Sequence, residues 1–429
     1  MSAFDPPATW LELPDVVRAR RRTLTTLLVA QVLGTLGIGA APSVGVLLAE
    51  QVTASETWAG LARSSTTVGA ALAAFPLGAL AARRGRAGSL TLAWTVAAVG
   101  TALLVAAAQT GSTVLLVLGM LGTGAGAAAG LQSRFAATDL AEPAHRARSL
   151  ALVVWIGTLG AVVGPNLGLP GEWVEARLGL APLAGAFAIG AVLLAVTAGV
   201  VALGLRPDPL LLAQRHTAAD ARPGGGAPLP GRAGFAAALR EVRASPRGAL
   251  ALTALVLAHV AMVSVMTMTP VHLAHLGHGV GVVGLTISLH VLGMFALAPV
   301  VGAAADRFGQ VPTILAGQVT LVGAAAVNLL GAASTPAVAT GLFLLGLGWS
   351  VVTVPAAALL SESVPARSRP LVQGTGDALM NAAAALGAIV SGPLLAVAGF
   401  PGLAVVSGLC VVPVVALAAR ARRVPGRGA

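Results

Sequence analysis

The chain lacks most of the side chains on which enzymes and nucleic-acid binders depend. Its single cysteine, Cys410, is set in an apolar run, which excludes a disulfide framework and a cysteine-ligated metal centre and reads as buried filler. Lysine and tyrosine are absent and every one of the 26 basic positions is arginine, a bias of GC-rich coding that carries no mechanism. Charged residues make up 10% of the chain against 56% hydrophobic, with a mean hydropathy of +0.89, so water is not the solvent for most of this surface. A net charge of +11 invites a nucleic-acid reading, but the arginines lie between long apolar runs and form no basic face, so no nucleic-acid partner is expected. No phosphate-binding glycine loop, nucleophile–base pair or metal-ligand spacing of good quality is present, so the sequence predicts no catalytic residue, cofactor or metal and no enzyme.

The apolar runs are what the chain does have. A helix rises ~1.5 Å per residue through a hydrocarbon core ~30 Å thick, so about 20 apolar residues span a bilayer. Six such runs lie near Thr23–Leu48, Trp58–Leu80, Leu90–Ala108, Val114–Leu131, Leu150–Leu169 and Ala184–Leu205. Six more lie near Ala249–Met268, Val282–Val301, Ile314–Ala332, Val338–Leu360, Ala378–Val397 and Leu403–Ala419. The expected fold is an all-α membrane protein of twelve transmembrane helices in two six-helix bundles, residues 23–205 and 248–419. Residues 1–22 and 420–429 form the terminal segments and 206–247 a linker, in which Pro223–Gly226 reads as flexible and Phe235, Leu239 and Val242 as one face of a short surface helix. Arginine is retained on the cytoplasmic side during insertion. With both termini inside, the outer loops hold Arg177 alone, which predicts a multi-pass protein of the cell membrane with cytoplasmic ends. Arg20–Arg22 before an apolar run resembles a twin-arginine export signal, but no small-residue cleavage site followed by a soluble domain appears, so an uncleaved first span is expected.

The two halves echo each other. Gly78-Ala79-Leu80-Ala81-Ala82-Arg83-Arg84-Gly85 after the second run matches Gly302-Ala303-Ala304-Ala305-Asp306-Arg307-Phe308-Gly309 after the eighth. Gly124, Gly126 and Pro143 match Gly346, Gly348 and Pro365, and Gly164-Pro165 matches Gly392-Pro393. Parallel six-helix repeats predict a pathway between the halves and alternating access. In these features the chain resembles the major facilitator superfamily over essentially its whole length. The superfamily's Gly-x-Leu-x-Asp-Arg-x-Gly-Arg loop latches the halves at the inner face, and Gly78, Leu80, Arg83, Gly85 and Arg86 match it with Ala82 in the aspartate position. The second copy keeps Gly302, Asp306, Arg307 and Gly309, with Gln310 for the last arginine. Because Asp377 opens the eleventh run, it is expected either to cap that helix or to pair with Arg83 or Arg84 in an inverted latch. Gly160, Gly164, Pro165 and Gly168 resemble the fifth-span motif of the superfamily's exporters; their own physics is close packing and bending. Where the fourth span of many proton-coupled exporters carries arginine, this chain has Met120.

Titratable groups inside the runs are few, and each invites a functional reading. Arg63 lies roughly 8 Å inside the outer end of the second run. It binds an anionic substrate group, pairs with Glu50 or Glu56, or snorkels to the headgroups. His259 and His290 lie mid-run and are the candidates for proton coupling, the alternative being neutral histidines bonded within the packing. Met262, Met266, Met268, His272, His275 and His278 form a soft-ligand cluster that ordinary packing explains better than a metal. By the resemblance, spans one, four, seven and ten line the cavity, with Gln31, Ser43, Ser264, Thr267, Trp349, Ser350 and Thr353 as candidate lining residues beside Arg63. The expected function is proton-coupled export of a small-molecule substrate across the lipid bilayer; an importer or uncoupled facilitator, and a non-transporting sensor or scaffold, are the rival readings.

Overall fold

The structure, a computed structural model, describes residues 10–142, 146–217, 239–364 and 369–423, and every regular element among them is helical. The Pro223–Gly226 stretch, Phe235, Pro143 and Pro365 lie outside the described residues. Eight helical stretches among the described residues are long and apolar enough to cross a bilayer; one of them, Thr375–Arg420, has 46 residues and room for two passes about Gly399. The remaining expected spans, over 23–48, 58–80 and 150–169, are also helical, the first and last of them broken, and the fold is the all-α, twelve-span membrane architecture that the apolar runs predict.

The chain divides into two compact units, residues 1–44 with 65–225 and residues 45–64 with 226–429. Residues 45–64, assigned by hydropathy to the first bundle, thus group with the second unit. The first unit contains α1 (Pro14–Ile38), most of α3 (Glu56–Thr110), α4 (Thr113–Ala136), α5 (Arg146–Val163), α6 (Gly168–Leu178), α7 (Ala184–Gly204) and α8 (Pro209–Thr217), with α2 (Val44–Thr53) passing to the other. α3 holds two expected spans divided at Gly85. α4 starts where Ser112 Oγ accepts from Leu115 N at 3.4 Å, the usual cap for an orphan amide. Trp94, fully buried, centres a core of Leu27, Leu90, Val153, Leu194 and Val201.

Hydropathy reads the first and fifth spans as unbroken, and the structure breaks both. α1 ends at Ile38 and α2 resumes at Val44; α5 gives way at Gly164–Leu167 to a tighter 3-10 turn before α6. The breaks meet. A Cβ on Gly39 would lie 2.5 Å from Gly164 Cα, so the two backbones touch, and Ser43 Oγ donates to Pro165 O at 3.1 Å. Pro42 and Pro165 have no N–H to continue a helix, and the crossing turns that defect into contact.

The second unit contains α9 (Pro246–His275), α10 (Val280–Phe295), α11 (Ala298–Phe308), α12 (Gln310–Leu330), α13 (Thr335–Glu362), α14 (Arg369–Leu409) and α15 (Val411–Arg423). Residues 45–64 are tied into it where Ser64 Oγ donates to Ala385 O at 2.9 Å and His275 Nε2 pairs with Glu50 Oε1 at 2.8 Å. α9 and α13 begin with proline in the first turn, where no helical amide is lost.

The repeated glycines mark equivalent helix crossings. In the first unit a Cβ on Gly124 of α4 would meet Thr66 O of α3 at 2.1 Å, and one on Gly69 would meet Leu121 O at 2.0 Å. In the second, a Cβ on Gly346 of α13 would meet His290 O of α10 at 2.2 Å, and one on Gly293 would meet Phe343 O at 2.5 Å. At Gly78 and Gly302 an added Cβ meets nothing within 4 Å. We therefore expect Gly346→Ala to destabilise the detergent-purified protein by about 1–3 kcal/mol through overpacking. Gly78→Ala and Gly302→Ala should stay within about 0.5 kcal/mol of wild type, all three read from thermal unfolding. Equal midpoints for the three variants would contradict the crossing.

Candidate functional site

The signature loop of the first unit is built around a backbone conformation that favours glycine. Gly85 has φ 81° and ψ 177°, a region that is essentially glycine-only. A Cβ there would lie 2.4 Å from the carboxylate of Asp208, which follows α7. Asp208 Oδ2 accepts from Ala87 N at 2.7 Å while its Oδ1 accepts from Leu210 N at 3.0 Å and Leu211 N at 3.1 Å. One carboxylate thus serves the first amides of two helical segments, where an anion is favoured. Arg86 donates through Nε to Asp139 Oδ2 at 2.8 Å in a largely buried ion pair, while Arg83 and Arg84 are exposed.

The second copy repeats the geometry with weaker chemistry. Gly309 has φ 91° and ψ 156° between α11 and α12. Where Arg86 reaches a carboxylate 53 residues on, Gln310 Nε2 donates to Glu362 Oε1, 52 residues on, at 2.7 Å. The missing last arginine is therefore replaced in place by a neutral donor. Asp306 is exposed, and Arg307 lies over the Phe308 ring at 5.4 Å. Asp377 departs from the expectation that it opens a helix. α14 starts at Arg369, so Asp377 is more than two turns inside, exposed, with its carbonyl accepting from Asn381 Nδ2 at 2.8 Å; the N-terminal cap reading is corrected.

The fifth-span motif is a packing surface. A Cβ on Gly160 would lie 2.2 Å from Thr35 Oγ1, one on Gly164 would lie 2.6 Å from Gly39 Cα, and Pro165 and Gly168 are buried. Of the candidate lining residues in this unit, Ser43 is wholly buried and committed to Ala40 and Pro165 carbonyls. Gln31 is wedged between Gly130 and Gly157, with its Oε1 buried and unpartnered. The side chain of Arg63 lies outside the described residues.

In the second unit an aromatic group that the sequence pattern only half shows comes together. Trp349 Nε1 on α13 donates to His259 Nδ1 on α9 at 3.0 Å, and Phe295 at the end of α10 meets the Trp349 ring edge-on at 6.1 Å between centroids. All three are half-buried. Phe295 was not a sequence candidate, because a phenylalanine in an apolar run carries no signal of its own. His290 is different: it is wholly buried, its Nδ1 donates to Leu342 O at 2.8 Å, and its Nε2 is unpartnered. Thr353 donates to the Trp349 carbonyl at 2.8 Å, Thr267 and Ser350 are buried with unpartnered hydroxyls, and Ser264 lies against Gly387. The soft-ligand cluster does not converge. His272 stacks on Phe400 and donates to Ala332 O at 2.7 Å, His275 turns to Glu50, and His278 bonds Thr335.

The profile of the Major Facilitator Superfamily matches residues 27–281 and 272–429. The chain belongs to this superfamily. Two transporters of the superfamily type from Bacillus subtilis strain 168, YdeG and YddS, are each 33% identical to it, over 92% of this chain and 91% and 90% of theirs. The riboflavin transporter RfnT of Brucella anthropi is 29% identical over 93% of this chain and 94% of its own. A solved bacterial homologue of the human lysosomal transporter Spinster, inward-facing and unoccupied, shares the fold with a TM-score of 0.58 at 17% identity, covering 94% of this chain and 95% of that one. As a superfamily member the chain is an integral membrane transporter.

Both Gly85→Ala and Gly309→Ala should carry the strain of a glycine-only conformation, about 1–3 kcal/mol each. Gly85→Ala should cost more, since its methyl meets Asp208 at 2.4 Å whereas at Gly309 the nearest atom, Pro312 Cδ, is 3.7 Å away. Combining Gly85→Ala with Asp208→Ala should be less than additive in a thermal double-mutant cycle, and strict additivity would break the proposed contact.

Proposed function

We propose that this transporter works by alternating access and exports small organic molecules bearing a planar aromatic part in exchange for protons. The observation that carries the reading is the His259–Trp349 hydrogen bond. Because the indole N–H donates to Nδ1, His259 must present a lone pair there, and a proton can occupy Nδ1 only by displacing Trp349. Proton uptake and the position of a large aromatic face are thereby linked in one pair of side chains. The flat indole and the Phe295 edge suit an aromatic substrate, and a relative is named as a riboflavin transporter. His290, engaged with Leu342 O and buried against Gly346, serves packing in this reading rather than coupling.

Export rests on the Gly160–Gly168 segment, which resembles that of the superfamily's exporters, and on the bendable crossing it makes with α1. The arginine bias supports a cell-membrane protein with both termini in the cytoplasm. An alkaline-phosphatase fusion to the C-terminus is expected to be inactive, and an active fusion would reverse the orientation.

The test of transport uses inside-out vesicles with an acid interior, a panel of compounds that includes flavins and other planar heteroaromatics, and a dye for luminal pH. A substrate should release protons from the lumen. His259→Gln should abolish the response while leaving the protein folded, whereas His290→Gln should act mainly by lowering the thermal midpoint. Full coupling in His259→Gln would sink the proton assignment, and substrate flux without proton movement would leave an uncoupled facilitator.

A further inference from the structure

A cleft of about 340 Å³ opens in the first unit where the N-terminal part of α1, the segment 137–142 after α4 and the start of α5 meet. That volume is at the lower end of small-molecule sites, roughly 300–1,000 Å³. Its rim is polar, with Arg20, Arg21 and Ser149, and its floor is apolar, with Leu24, Ala137 and Leu140. The floor is firm, because Leu140 is 1% exposed and packs in a cluster with Val16 and Ala19. The cleft lies where the arginine run ends and the first apolar run begins at Thr23, and a change from arginine to apolar residues is the pattern expected where lipid phosphates meet acyl chains.

Its charges are arranged as a lock with an internal key. Arg20 Nη1 holds Glu142 Oε1 at 2.5 Å in a part-exposed pair. Arg21 is exposed beside it, and Arg22 turns away to donate to Leu203 O at 2.8 Å. Guanidinium groups match phosphate oxygens in a planar fork, and a phosphate competes with a carboxylate for the same donors. Segment 137–142 is held a second time, through Asp139 and Arg86 of the signature loop. A ligand that takes Arg20 frees Glu142 within the few residues that also carry Asp139.

We propose that this cleft binds the phosphodiester headgroup of an anionic phospholipid, with Arg20 and Arg21 on the phosphate, Leu24 and Leu140 along the first carbons of an acyl chain, and Glu142 as the displaceable internal anion. A polar rim over an apolar floor at headgroup level favours a lipid over a free anion, and basic pockets of this kind retain acidic lipids.

The purified protein in nanodiscs of phosphatidylcholine with a minority of phosphatidylglycerol, analysed by native mass spectrometry after mild delipidation, provides the test. Wild type should retain phosphatidylglycerol selectively. Arg20→Gln with Arg21→Gln should lose it by about fivefold per arginine. Glu142→Gln, which keeps the side-chain shape and removes the competitor, should retain more than wild type, an outcome that does not depend on how well the arginine variant folds. Arg215→Gln, an exposed arginine outside the cleft, should match wild type. Equal retention in wild type and the arginine variant, or no gain in Glu142→Gln, would overturn the proposal. Binding of inorganic phosphate that depends on Arg20 and Arg21, with no selective retention of phosphatidylglycerol, would assign the cleft to the free anion and overturn the lipid reading.

Discussion

Helices in a bilayer have no hydrophobic reason to approach one another, since lipid tails are as apolar as leucine, and what brings them together is direct contact of backbones. In this transporter those contacts fall on glycines whose missing Cβ would collide with a facing carbonyl or Cα: Gly69 and Gly124, Gly293 and Gly346, Gly39 and Gly164, Gly171 and Gly185. The polar side chains inherit their positions from these crossings. His290 reaches the Leu342 carbonyl because Gly346 lets α10 and α13 close on each other, and Gln31 lies where Gly130 and Gly157 leave room.

At the helix ends the governing factor changes from contact to backbone conformation. Gly85 and Gly309 hold nearly the same dihedral angles, in a region closed to residues with a side chain, so each half turns from its second helix into its third in the same way. Around that shared turn the electrostatics differ. The first copy is fixed by a charged pair and by a carboxylate on backbone amides, the second by the amide of Gln310 on Glu362. Both bonds end on a carboxylate and are charge-assisted, but only Arg86 with Asp139 brings two opposite charges together, and it does so through two donors. The first loop is therefore the more firmly held, and the half that lacks the signature aspartate at Ala82 has Asp208 from another part of the chain.

Much of this is legible in the sequence, for physical reasons. Apolar runs of bilayer length, arginine between them and glycines repeated in both halves are local or periodic signals, and they point to the membrane fold, to Gly124 and Gly346 as equivalent positions and to the two signature loops. What escaped is long-range or conformational. The break at Gly39–Ser43 is invisible to hydropathy because the residues on both sides are equally apolar, whereas the break at Gly164–Leu167 falls within the segment whose glycines and proline predict bending. Asp208 gives no hint that its carboxylate serves Ala87, since the two are 121 residues apart. Apolarity that begins after Asp377 predicts a helix start there, whereas α14 begins earlier, at Arg369, in a more polar stretch that is helical all the same. His272, His275 and His278 look clustered in sequence, yet each takes a different partner, which spacing alone cannot foresee.

The two halves are related, but their crossings of first with fifth and seventh with eleventh span are not equally rigid. In the first unit backbone rests on backbone at Gly39 and Gly164, both helices are interrupted, and Pro165 sits in the 3-10 turn with its carbonyl accepting from Ser43. In the second unit the corresponding helices run through: α14 continues past Gly392 and an exposed Pro393, and Ser264 presents its hydroxyl to Gly387 where backbones would otherwise meet. Interrupted helices bend at lower cost than continuous ones, because the hydrogen bonds that would resist are already absent. The first unit therefore concentrates compliance at one crossing, while the second carries His259 and Trp349 on two helices, α9 and α13, that run uninterrupted past them. A histidine whose Nδ1 must be aimed at an indole within 3.0 Å needs such a frame, since a small rotation of either helix would lose the bond. At these two crossings the difference is local: Gly39 and Gly164 meet each other's backbone, whereas Gly387 meets the Ser264 hydroxyl.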